Sequence, residues 1–524
     1  MAFGKVAGSR WLRWALPFLE WVPSYRASGA WHSDAQAAVL SAGIMLPQAV
    51  VLARLAGLPA QYGIYAAFLP VIVAALWGSS RQLLSGPNTA LCLLLAATVS
   101  PFAAPGSSEY IRYVATLTLM VGAGQWLLGA LGLGAILDYL PASADLGITT
   151  VVGVTIVLSQ TSYLLGQTPT YGVPAWEAAY AAVAAGSARI PDLAVAAATV
   201  GIGMLAHRAP TLWVRRLALL IALLGGTALS LALDAVYGSA TMGFLVVGHL
   251  PVGWPALSMP DFGPRMLATT PAMLPGILTI TYLGLVQSTV IARTLADETG
   301  QRLDLGQEIR AQGLANVTAA FVSGFAGSGS FNRSRAHARA GTRTQMAAVM
   351  SAIVTMLAAT LGSRFLAEIP DPAMAGVLVL VGVGLIDWSK LAMQWRIGFG
   401  QAGLVAAVVV AGVLGGLQDA VIVGVFAPLV GYLSKAARPS IRVEKTQDGV
   451  RVHLDGNVFF ASAQRVAAVL RSLGEENGFS GRVDVDLRDV GYIDADGFAM
   501  LRREQARWQE RGGTLILAEG AEQT

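Results

Sequence analysis

"GFAGSGSFNRSRAHARAGTRTQ", Gly324 to Gln345, interrupts a chain that is otherwise mostly apolar. Glycines, serines and an asparagine come close together, and Arg333, Arg335, His337 and Arg339 follow at two-residue intervals. Residues two apart on a helix point nearly opposite ways, so these basic groups cannot share one pocket. The stretch reads as unwound chain over Gly327 to Ser330, then a half-helix that begins near Asn332. A helix that starts inside a membrane exposes unpaired N–H groups and the positive end of its dipole, and both attract anions. Arg333, in the first turn, adds a full charge. An unpaired charge at mid-membrane costs roughly 3 kcal/mol or more, and an anionic ligand offsets that cost. Arg339 and Arg343 fall about 9 and 15 Å further along the axis, where surface anchoring accounts for them. Arg335 fits neither role.

A second interrupted stretch, "RQLLSGPNTALCLLL", runs from Arg81 to Leu95. Both are the third segment of their half of the chain. Paired Gly/Pro interruptions in corresponding segments point to a transporter binding site at the repeat interface. Glycines that merely permit close helix packing would leave Arg333 beside Ser330 and Asn332 unexplained.

Composition agrees with a membrane protein. The chain has 524 residues, 55% of them hydrophobic and 13% charged. Soluble domains carry about 25% charged residues. Candidate spans lie near 35–53, 62–78, 83–99, 113–137, 146–165, 191–207 and 216–236, then near 270–293, 308–323, 326–341, 345–363, 373–387, 400–416 and 419–434. Lys and Arg alternate between loops so that one orientation, with both termini cytoplasmic, suits all fourteen. The expected domains are an interfacial N-terminal segment (1–30), a transmembrane transport domain (31–436) and a soluble tail (437–524).

The net charge of +4 is no sign of nucleic-acid binding, because the basic residues sit at the ends of apolar segments. The single cysteine, Cys92, excludes an internal disulfide and reads as a core thiol. The five histidines (His32, His207, His249, His337 and His453) are scattered, with no metal-ligand spacing. No phosphate loop and no G-x-S-x-G elbow occurs, so no enzyme activity and no cofactor is expected. The glycosylation-like triplets at 316–318 and 332–334 lie in or near membrane segments and are discounted.

The stretch "LPQAVVLARLAGLPAQYGIYAAFLPVIVAALWGSSRQLLSGPNTA", the connection "IARTLADETGQRLDLGQEIRAQGLANV" and "SGSFNRSRAHARAGTRTQ" resemble the SulP (sulfate permease) anion transporters over nearly the whole chain. The tail is similar to a STAS domain. The resemblance implies a uracil-permease-like α-helical fold. It has fourteen transmembrane segments in two inverted seven-segment repeats, split into core and gate domains, with a cytoplasmic α/β STAS domain behind. It implies a homodimer in the inner (plasma) membrane that moves a small anion such as sulfate, bicarbonate, chloride or a dicarboxylate. By motif position, Gln48 and Leu52 line the site from the first helix. Asn88 and Thr89 stand at the start of the third, Gln287 lies on the eighth, and Phe331, Asn332 and Arg333 open the tenth.

Three positions depart from the family pattern. Gln287 stands where many bacterial members carry an acid, which leaves a coupling H+ or Na+ unassigned. Arg54 stands where an uncharged residue is usual, and reads as a snorkelling side chain. Asn88 adds a polar group where several relatives are apolar. In the tail, "YIDADG", Tyr492 to Gly497, resembles the loop in which related domains carry a phosphorylated serine. Asp496 takes that position and Asp494 lies beside it. Asp496 is read as a helix cap, with a regulatory role for both acids as the alternative. Secondary anion transport is the leading functional reading. A nucleobase permease of the same fold, a membrane sensor without turnover and uncoupled conduction are the others.

Overall fold

The computed structural model describes residues 14–25, 29–134, 141–168, 173–238, 242–248, 253–446, 449–476 and 482–518. Residues 1–13 and 26–28 of the expected N-terminal segment, and His249, lie outside them. The chain forms two compact units, residues 1–425 and 426–524.

The first half contributes α1 (Trp31–Leu55), α2 (Ala60–Trp77), β1 (Ser85–Gly86), α3 (Thr89–Val99), α4 (Ser108–Ala130), α5 (Ala142–Ser159), α6 (Ile190–Arg208) and α7 (Ala218–Tyr237). The second contributes α8 (Pro264–Thr299), α9 (Leu305–Phe321), β2 (Ser328–Gly329), α10 (Phe331–Arg339), α11 (Met346–Leu361), α12 (Asp371–Leu385), α13 (Phe399–Gly415) and α14 (Leu417–Ala436). Among the described residues, nine helical stretches are long and apolar enough to cross a membrane. A shorter helix, Phe18–Tyr25, precedes them.

Packing repeats between the halves. α3 packs on α8 as α10 packs on α1. In the same way α4 packs on α9 and α11 on α2, while α1 meets α11 and α8 meets α4. Shifting each helix by seven positions turns one set of partners into the other. The antiparallel β1–β2 pair maps onto itself under that exchange, as an inverted repeat requires. The pattern also sorts the helices into groups. α1–α4 and α8–α11 form a core, while α5–α7 pack with α12 and α13 as a gate.

Small residues set how closely the core helices approach. A Cβ at Gly313 would collide with the backbone of Trp126, and one at Gly63 with the carbonyl of Ala49. Glycine at those points lets α9 and α4, and α2 and α1, touch backbone to backbone. In a membrane, dispersion contact between close backbones replaces the hydrophobic drive that water supplies elsewhere.

The C-terminal unit contains β3 (Ser440–Thr446), β4 (Gly449–Val458), α15 (Phe460–Glu476), β5 (Arg482–Ile493), α16 (Ala495–Glu510) and β6 (Thr514–Ala518). The strand order is β3-β4-β5-β6, antiparallel in the first pair and parallel in the next two. Val452, Leu454, Val466, Leu470, Val485, Leu501 and Trp508 build its core. The strand β3 was not expected from the sequence, although Ile441 and Val443 alternate with polar residues as a strand on a half-covered sheet would. The helix cap also differs from expectation. Asp494, rather than Asp496, is the N-cap of α16, and its carboxylate accepts from Gly497 N–H at 2.6 Å and from Phe460 N–H at 2.9 Å. Asp496 sits inside the first turn.

Candidate functional site

Two short strands cross where the two interrupted stretches meet. Ser85 pairs with Gly329 and Gly86 with Ser328, so the helices that follow, α3 and α10, start on opposite sides of one small ladder. The crossing needs glycine. A Cβ at Gly327 would lie 2.5 Å from the carbonyl oxygen of Gly86, and Gly86 itself has φ +143°, which favours glycine.

Asn88 ties the two halves together. Its side-chain oxygen accepts from Ala90 N–H at 3.0 Å and caps α3, while its amide nitrogen donates to Gly329 O at 3.0 Å. One of the α3 donors expected to face an anion is therefore already engaged within the chain. Thr89 is the first helical residue. α10 starts at Phe331, one residue earlier than expected, and its N-cap Ser330 makes no side-chain capping bond.

Arg333 is buried, with 3% of its surface exposed. Its Nη1 donates to Pro87 O at 2.6 Å and lies 3.5 Å from Gln48 Oε1. Among the described residues, its Nε and Nη2 have no hydrogen-bond partner and no carboxylate pairs with it. Gln48, on α1, is thereby joined to α10, whose Arg333 in turn reaches the start of α3. Leu52 is buried one turn further along α1. Gln287, on α8, accepts from Ser328 Oγ at 3.4 Å and so reaches the same ladder.

Phe331 and Asn332 stand apart from this group. Both are exposed in the first turn of α10. The Phe331 ring lies 4.3 Å from the Arg335 guanidinium, which pairs with Glu298 of α8 at 2.8 Å. Arg335 thus has a place after all, as a clamp between α10 and α8. Arg54 also departs from its sequence reading. It does not snorkel but holds Asp371 of α12, its Nη2 shared between the two carboxylate oxygens at 2.6 and 2.8 Å.

A family model described as "Sulfate permease family" matches residues 32–410, and a second, "Mlab, STAS domain", matches 441–523. The chain belongs to the sulfate permease family. This permease is 27% identical to the chloroplastic sulfate transporter 4.1 of Arabidopsis thaliana over 84% of its own length and 64% of that relative's. It is 29% identical to a probable sulfate transporter of Mycobacterium tuberculosis over 78% of its length and 71% of the relative's. Among solved structures, it matches murine Solute Carrier 26 family member A9, an anion transporter, with TM-score 0.83 at 19% identity, covering 96% of this chain and 87% of that one. It matches the transmembrane domain of the cyanobacterial bicarbonate transporter BicA with TM-score 0.63 at 22% identity, covering 77% and 97%. These structures show the fold: a multi-pass α-helical membrane protein of this architecture with a STAS tail.

The permease also builds a polar shell that sequence reading missed. Gln312 of α9 accepts from Ser85 Oγ at 3.0 Å and donates to Gly327 O at 3.0 Å. Asn316, one turn on, donates to Gln125 Oε1 at 2.7 Å and exchanges two hydrogen bonds with the backbone of Gly327. Ser288 Oγ accepts from Gly329 N–H at 2.9 Å. Strand backbone inside a membrane must find such partners. The signal was Gln312 and Asn316 at i, i+4 in a segment read as a span. Asn316 belongs to a discounted glycosylation triplet, and its side chain is buried.

Proposed function

We propose that this permease is a secondary active transporter of a small anion, with the anion held between the starts of α3 and α10. The observation that carries the proposal is Arg333. It is a buried guanidinium with no carboxylate partner, beside a helix start whose Phe331, Asn332 and Arg333 N–H groups make no hydrogen bond among the described residues. Uncompensated charge of this kind is costly in a membrane, and a bound anion supplies the missing partner. Gln48, Asn88, Thr89 and Gln287 surround it with hydrogen-bonding groups, Leu52 forms a wall, and Phe331 and Asn332 edge the entrance. The relatives named for sulfate, and the anion transporters of the same fold, support an anion as cargo.

In this account the core carries the anion and slides against the gate, in alternating access. The helices cross fourteen times, both termini lie in the cytoplasm of a cell bounded by the plasma membrane, and the protein works as a homodimer. The STAS domain starts near residue 437, and Asp494 and Asp496 mark its regulatory loop. The chain itself performs no chemistry and binds no nucleic acid. Gln287 cannot titrate, so any H+ or Na+ coupling runs through another group. The test is uptake by proteoliposomes of labelled sulfate, bicarbonate and chloride, with and without pH and sodium gradients. Saturable uptake of at least one anion is expected. Uptake of uracil instead would install the nucleobase reading, binding without flux the sensor reading, and a current that does not saturate with anion the channel reading.

A further inference from the structure

A cavity of about 330 Å³ in the membrane unit lies outside the strand crossing. Its core wall carries Val51, Arg54 and Leu55 of α1 and Leu93 and Ala97 of α3. Its gate wall includes Gln160 and Tyr163, just past α5, and Asp371 and Leu378 of α12. On α1, Val51 follows Gln48 by three residues, and on α3, Leu93 follows Thr89 by four. The cavity therefore begins one helical turn beyond the residues around Arg333. Arg54 stands about 9 Å further along α1 than Gln48.

The ion pair spans that cavity. Arg54 belongs to the core and Asp371 to the gate, and the Arg54 Nη2 lies 2.6 Å from one carboxylate oxygen and 2.8 Å from the other. The two side chains differ in access: Arg54 is 32% exposed and Asp371 7%. The Arg54 side chain is partly open to the cavity it lines, while the carboxylate is held in the wall. One nitrogen shared between both Asp371 oxygens is a poorer match than the planar guanidinium fork can make, and an incoming anion that presents two oxygens to that fork makes the better one.

We propose that Arg54 is a second anion station on the path to Arg333, and that Asp371 is the built-in occupant that an incoming oxyanion displaces. This rests on the transport reading and narrows its cargo. A forked donor favours anions that present two oxygens, such as sulfate, bicarbonate or a carboxylate, over a halide. Displacement has a second consequence. The pair links core to gate, so it must open before the core can slide, and the anion that takes Asp371's place on Arg54 opens it. Arrival of cargo and release of the core then become one event.

The test uses the full chain in proteoliposomes with labelled sulfate, bicarbonate and chloride. Arg54→Gln is expected to raise the KM for sulfate and bicarbonate about tenfold, the scale of one lost charge-assisted hydrogen bond, with a smaller change for chloride. Asp371→Asn removes the competitor and is expected to lower KM. The exchange variant, Arg54→Asp with Asp371→Arg, restores an ion pair between the same helices but moves the cation to the gate. If the pair only holds the fold together, the exchange variant recovers wild-type KM, and the proposal is overturned. It is also overturned if Arg54→Gln changes KM equally for all three anions or for none. Arg54→Lys keeps the charge without the fork. It is expected to fold as the wild type does while losing the preference for sulfate and bicarbonate over chloride. The transport reading is judged separately, by Arg333→Ala. Loss of uptake there beside unchanged KM in the Arg54 variants would sink the station and leave the central site standing.

Discussion

Arg333 of the tenth helix donates to the carbonyl of Pro87, at the start of the third, across 2.6 Å. The contact joins the two interrupted segments from the side of α10, and Asn88 joins them from the side of α3. Asn88→Ala removes both the cap on α3 and the bond to Gly329. Losing an N-cap costs about 1 kcal/mol, and losing the bond to Gly329 O, which keeps only the Ser328 hydroxyl at 3.2 Å, adds a smaller cost. The expected result is a lower unfolding temperature in detergent together with a raised KM. Asn88→Asp keeps the cap acceptor, so it should recover part of the stability while repelling the anion.

Glu308 tests the support beneath the strands. This buried carboxylate on α9 accepts from Ser79 N–H at 2.8 Å, Ser80 N–H at 2.9 Å and Ser79 Oγ at 3.2 Å, and so fixes the turn that leads into β1. Glu308→Ala leaves the Ser79 and Ser80 N–H groups without a partner, while Ser79 Oγ keeps its bond to Asp304 O at 2.9 Å. The expected loss is on the order of 2–3 kcal/mol, read as a fall in thermal unfolding temperature of the detergent-solubilised protein. Glu308→Gln retains one acceptor oxygen and should lose less. Equal stability in both variants would show that the turn is held by something else.

Gly327 tests the crossing itself. A methyl group there must displace Gly86 backbone rather than a flexible side chain. Gly327→Ala is expected to abolish uptake even where protein still reaches the membrane. Gly384, by comparison, has open space where its Cβ would go. Gly384→Ala should transport normally, and matched uptake in the two variants would argue against a crowded crossing.

The tail offers a pH test. Arg488 clasps Asp486, its Nη2 at 2.6 Å from one oxygen and its Nε at 2.9 Å from the other, and holds that carboxyl well below the usual carboxylate range. A carboxyl whose value is depressed on folding binds protons more weakly in the folded state. Its contribution is complete above the ordinary value of about 3.9 and is lost as pH falls from there towards the depressed value. Hydrogen exchange in β4 and β5 should therefore quicken below about pH 4 in the wild type. Asp486→Asn should exchange faster at pH 6 and change less on acidification.

Much of the fold was legible because membrane helices announce themselves by length and apolar content. The two interrupted segments stood out because glycine and serine are out of place at mid-span. The polar shell was not legible in the same way. Gln312 and Asn316 look like tolerated polar residues until the strands they serve are seen, since their partners lie on other helices or in the unwound chain. Arg335 and Arg54 were misread or unplaced for a related reason. A charge near a helix end usually reaches water, and only the packing of α8 and α12 reveals Glu298 and Asp371 as partners. Asp494 and Asp496 differ by two positions, and the choice of cap depended on where the helix backbone begins, with Asp494 extended and accepting from Gly497 N–H.

The central claim is that Arg333 holds the transported anion. The direct measurement is saturable anion uptake by proteoliposomes containing Arg333→Ala beside the wild type, with Arg333→Lys as the charge-conserving control. The alanine variant is expected to fold, reach the liposomes and take up none of the three anions above background, while the lysine variant retains part of the uptake at raised KM. Wild-type uptake and KM in Arg333→Ala would contradict it.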